Sequence, residues 1–73
     1  MKVSQLLHAM DKDEEIIIED EGKPISQMTV YHGDVRGIKR DDPINRMHVS
    51  RCLACDNIII VIAKGENNEQ RAD

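Results

Sequence analysis

Val3, Leu6, Leu7 and Met10 recur at i, i+3, i+4 and i+7, the spacing of one face of an amphipathic helix. Ser4 is a natural N-cap and the polar run "DKDE" ends the pattern, so the spacing predicts a helix over 5–11. Two turns are too few to hold in water alone, so this helix must pack to exist. The pattern then changes period. "EIIIED" (15–20) sets three consecutive β-branched residues between charges and reads as a strand. A turn at "EDEGKP" (19–24) leads to a second strand in 25–33, where Met28 and Val30 alternate with Thr29 and Tyr31. Val35 extends this as a short strand, and "RGIKRDDPINR" (36–46) reads as a loop.

The chain re-enters strand at 47–55, turns at Asp56-Asn57 and returns through 58–63. A two-residue loop there sets Cys55, Leu53 and Arg51 opposite Ile58, Ile60 and Ile62 on one side. Ala54, Cys52 and Ser50 then pair with Ile59, Val61 and Ala63 on the other. The second strand is apolar on both faces and belongs in the middle of a covered sheet. One short helix covers one face of such a sheet, and no other segment of this chain offers a cover for the second. Pairing with another copy is the simplest answer, so a homodimer is expected. The fold expected is α+β: a short N-terminal helix packed on a small antiparallel sheet of about four strands, ending in a C-terminal β-hairpin. Residues 1–64 form one domain in this reading, and 65–73 a disordered polar tail.

Composition reinforces self-association. Tyr31 is the only aromatic residue among 73, so the core lacks the large buried areas of Phe and Trp. No stretch approaches the roughly 18 apolar residues of a membrane span, and there is no signal-peptide core, which points to the cytoplasm. Two cysteines in that compartment are expected as reduced thiols. Cys52 and Cys55 form a Cys-x-x-Cys pair, but an odd offset in a strand sends them to opposite faces. A zinc site would need a second ligand pair, and His48 with His8 or His32 matches no standard spacing. A thioredoxin-like role would need a βαβ setting. The pair therefore reads as two buried small hydrophobes, with no metal and no cofactor.

The net charge of −4 is unevenly spread. Seven of the fourteen acids fall in 11–21: Asp11, Asp13, Glu14, Glu15, Glu19, Asp20 and Glu21. Arg36, Lys39, Arg40, Arg46 and Arg51 follow against Asp41 and Asp42. Such a dipolar chain lacks the basic balance of a direct nucleic-acid binder. Its acidic stretch suits a basic partner, and its Gly-flanked basic loop suits phosphate. His32-Gly33-Asp34 reads either as a functional turn or simply as a strand end. The acids at 19–21 and 41–42 lack EF-hand spacing. No nucleophile elbow, Walker loop, GxGxxG or HExxH is present, so no enzyme is expected.

Met1–Leu7, Glu15–Ile18, Tyr31 with Gly33, and the segment from Val49 to Ile62 together resemble a group of small phage and prophage proteins. These begin "MKV-S/R-ELL", carry an "EIVI" strand and a "Y-x-G" turn, and end in two hydrophobic strands around an acidic turn. The "KRDDP" loop and the two cysteines depart from that pattern. The resemblance implies the cytoplasm of an infected bacterium and an accessory factor that inhibits host defence. Such factors occupy a basic nucleic-acid groove on a nuclease, as anti-CRISPR proteins do, or sequester a signalling nucleotide. The leading expectation is a non-enzymatic inhibitor of a bacterial host protein, with the acids of 11–21 as a DNA-mimicking surface. The alternative is an oligomeric module that holds an anionic nucleotide through His32, Arg36, Lys39, Arg40 and Arg46.

Overall fold

In a computed structural model that describes residues 1–65, four strands form one sheet in the order β2-β1-β4-β3. The strands are β1 (Glu15–Asp20), β2 (Thr29–Asp34), β3 (His48–Cys55) and β4 (Ile58–Lys64), preceded by the helix α1 (Val3–His8). Short 3-10 turns cover Ile25–Gln27, Val35–Gly37 and Pro43–Arg46. The α+β class is as the pattern indicates. The expected tail of 65–73 lies outside the described residues except for Gly65.

The sheet is mixed, which corrects the antiparallel expectation. β1 pairs antiparallel with β2, and β3 with β4, but β1 and β4 run parallel, with Glu15 opposite Ile58 and Ile18 opposite Val61. The physical reason is burial. Ile16–Ile18 and Ile58–Ala63 are the two most apolar strands, and joining them puts both at the centre, where each is flanked on both edges.

Alternation within β1 sends Ile16 and Ile18 to the helix side, fully buried, and Ile17 to the other. Val61 and Ala63 of β4 join them, and Val3, Leu7, Val35 and Met47 close the core from above. The helix is shorter than expected and starts earlier. Its N-cap is Lys2 and not Ser4, because the Gln5 side chain reaches back to accept from the Lys2 backbone N–H at 2.8 Å. It ends at His8, where the Ala9 and Met10 N–H groups bond to the carbonyls of Leu6 and Leu7. The chain ahead of the helix bonds to the start of β3, with Val3 N–H to Met47 O and Val49 N–H to Met1 O, both 2.8 Å.

Three local expectations change. Residues 25–27 form a 3-10 turn rather than strand, and Val35 sits in another such turn. Val30 is the extra residue of a bulge between the Ile18–Tyr31 and Glu19–Thr29 pairs, so Tyr31 packs on the core side opposite Ile18. A second irregularity at Val49/Arg51 puts Val49, not Ser50, opposite Ala63. Asp56 and Asn57 carry φ of 48° and 68° between β3 and β4, the left-handed pair that a two-residue connection requires.

Candidate functional site

The parallel register between β1 and β4 gathers acids at one end of the sheet. Glu15 starts β1 beside Asp34, which ends β2, and beside Ile58, which starts β4. Asp56, in the turn before β4, lies at the same end. Asp11, Asp13 and Glu14 arrive there because the loop ahead of β1 is tied to the Val35–Gly37 turn. Val35 N–H bonds to Glu14 O and Arg36 N–H to Lys12 O, both at 3.0 Å. Six carboxylates, Asp11, Asp13, Glu14, Glu15, Asp34 and Asp56, thus share this end with Lys12 and Arg36. Arg36 pairs with Asp13 at 2.5 Å and His32 Nε2 lies 2.9 Å from Glu15 Oε2, all four side chains being largely exposed. Such solvated pairs are weak and leave the carboxylates accessible.

Glu19, Asp20 and Glu21 lie at the opposite end of β1. The Glu21 carboxylate accepts from Ser50 Oγ at 3.0 Å and lies 3.6 Å from Lys64 Nζ. Asp20 accepts from the Gly22 N–H at 2.9 Å and so shapes the turn into β2. The acidic stretch of the sequence is therefore split between the two ends. Asp34 and Asp56, which the sequence pattern places in turns but not on the acidic surface, complete the first of them. Their signal is topological: each sits at a strand boundary that only the sheet order brings beside Glu15.

The basic residues also separate. Arg36 faces the acidic end, and His32 is on the sheet side away from the helix, in register with Ile17. Arg40 lines an open cleft between α1 and the loop, with His8 and Lys12 beside it and Leu7, Val35 and Ile38 as its floor. Asn45 holds this loop closed by donating from Nδ2 to the carbonyls of Lys39, Arg40 and Asp42 at 2.8–3.2 Å. The Asp42 carboxylate accepts from Ile44 N–H at 2.9 Å and caps the next turn. Arg46 lines a different cleft, with Asp20, Lys23 and Asp42.

The sheet face away from the helix has no cover among the described residues. Ile17, Ile58, Ile60 and Ile62 occupy its centre, with Leu53 and Cys55 on β3. Leu53 is 46% exposed. Cys52 and Cys55 do face opposite sides, yet both are exposed free thiols, which corrects the buried reading. Cys52 is on the helix side, but the six residues of α1 do not extend over the far half of the edge strand β3. No group of three or more metal-ligating side chains comes together among the described residues, and no helix there is long and apolar enough to cross a membrane. Compared with protein-family models, curated proteins and solved structures, the chain finds no match.

Proposed function

We propose that this chain is a non-enzymatic interaction protein that inhibits a bacterial host protein by presenting its acidic end to a basic groove that otherwise holds nucleic acid. The observation that carries the reading is the gathering of six carboxylates at one end of the sheet beside two cations, Lys12 and Arg36. Asp34 on β2 and Asp56 in the β3–β4 turn lie two to three strand spacings apart, roughly 12 Å at about 4.8 Å per strand. A row of carboxylates of that length competes for Arg and Lys side chains through the same charge-assisted hydrogen bonds that phosphates use. The phage-type context comes from the resemblance of the chain's layout to small phage and prophage proteins.

A second reading draws on the cleft beside α1, where His8, Lys12 and Arg40 surround an apolar floor. That arrangement suits an anionic nucleotide, the base on the floor and the phosphate on the cations.

One experiment separates the two. The chain is immobilised and exposed to bacterial lysate, and the retained protein and small-molecule fractions are compared among wild type, Glu14→Lys/Glu15→Lys and Lys12→Glu/Arg40→Glu. The acidic-end reading expects retained protein that duplex DNA displaces and that the first variant loses at least tenfold. The cleft reading expects retained nucleotide that only the second variant loses. Retention that neither variant nor DNA alters overturns both.

A further inference from the structure

The open face of the sheet carries its own instructions for what covers it. Three rows cross it from β2 to β3. The first is Asp34, Glu15, Ile58 and Cys55; the second His32, Ile17, Ile60 and Leu53; the third Thr29, Glu19, Ile62 and Arg51. Apart from Ile17, polar groups thus occupy the β2 and β1 side, and apolar groups the β4 and β3 side, with Arg51 the one Arg or Lys of the three rows, at the outer corner. We propose that this face packs against the same face of a second copy, about a two-fold axis parallel to the strands and between β1 and β4. The inference does not rest on the acidic-end reading, although Glu15 and Asp34 border both surfaces.

Two in-plane axes are available to a face-to-face sandwich of identical sheets. An axis perpendicular to the strands inverts the rows, so Glu15 lies against the partner copy's Glu19 and two carboxylates meet in a desolvated layer. Like charges there cost heavily. The axis parallel to the strands keeps each row opposite itself and reverses its order. Ile17 then meets Ile60, Glu15 meets Ile58, and Arg51 comes against Thr29 beside Glu19. No like charges oppose, and the one cation of the face finds an anion. Charge complementarity therefore selects both the occupant and the axis. The polar segment 66–73 offers only Ala72 as an apolar side chain and does not match six apolar residues. Because the axis runs along the strands, both acidic ends emerge on one side of the dimer.

The footprint is small, so micromolar self-association is expected rather than an obligate dimer. Sedimentation from micromolar to millimolar concentration reads it. Wild type should pass from monomer to dimer. Leu53→Glu, at a half-exposed site on the edge strand, should stay monomeric with its circular dichroism unchanged. Arg51→Glu should weaken the dimer about tenfold, and adding Glu19→Arg should restore it. In a Cys52→Ser/Cys55→Ser background, Leu53→Cys should form no disulfide with its own copy, since the two sites lie roughly three strand spacings, about 14 Å, apart laterally. Mixed with His32→Cys in the same background it should cross-link. A wild-type monomer throughout, a dimeric Leu53→Glu, a Leu53→Cys homodisulfide or a charge swap that fails to restore pairing each overturns the proposal.

Discussion

Tyr31 is the single aromatic side chain, and its ring lies across two glycines. The hydroxyl donates to the Asp34 carbonyl oxygen at 2.6 Å. A Cβ at Gly37 would collide with that hydroxyl, and one at Gly33 would come within 2.8 Å of it. Neither glycine has positive φ, so what they supply is room. Burial, and then the Asp34 carboxylate, push the Tyr31 phenol above its ordinary range, because both disfavour the phenolate. The folded state therefore prefers the neutral form. The stability linked to it is whole below the ordinary tyrosine range and fades as pH rises through the raised value. Tyr31→Phe should cost about 1 kcal/mol near neutrality through the lost hydrogen bond. It should also lose less stability than wild type as pH rises from the ordinary tyrosine value, about 10, upward. Gly37→Ala should cost a similar ~1 kcal/mol by displacing the hydroxyl, yet be nearly neutral in the Tyr31→Phe background, where the obstructing atom is gone. Urea unfolding of the four proteins closes this cycle, and strict additivity would show that ring and glycine do not interact.

At the level of elements, two antiparallel strand pairs meet along β1 and β4, and the alternation of β1 decides which of its isoleucines holds them. Ile18 is fully buried under the helix, whereas Ile17 faces away from it. Ile18→Ala should cost roughly 3 kcal/mol, and Ile17→Ala under about 1 kcal/mol in dilute solution, as measured by urea unfolding. Equal losses would mean that both faces are packed in the single chain. This period-2 logic is what made the strands legible in the sequence, along with the apolar helix stripe and the doubly apolar 58–63 segment. The mixed sheet was less legible, because strand direction depends on which edges meet, and no local signal in "EIIIED" states its neighbour. The two bulges were hidden for the same reason, since each is a property of strand pairing, and the exposure of Cys52 depends on how far a six-residue helix reaches across the sheet. The acidic end was half legible. Asp11, Asp13, Glu14 and Glu15 stand out as a run, while Asp34 and Asp56 become their neighbours only through the β2-β1-β4 order.

At the scale of the whole molecule, the limiting quantity is apolar burial. Among the described residues, eight buried side chains form the core, none larger than Leu, Ile or Met, and a chain of 73 residues has little surface to bury on one side of a single sheet. A second copy on the open face would add burial where the chain has none left to give, and would do so only in proportion to protein concentration. Folding and association are then linked by mass action, since the partner binds the folded sheet and not the unfolded chain. The thermal midpoint of wild type should rise by several degrees as concentration climbs from the micromolar to the millimolar range, while that of Leu53→Glu stays fixed. At the lowest concentration the two midpoints should converge, because Leu53 on the edge strand contributes little to the single-chain core. A midpoint for wild type that ignores concentration would mean that the single chain is stable with its apolar face in water.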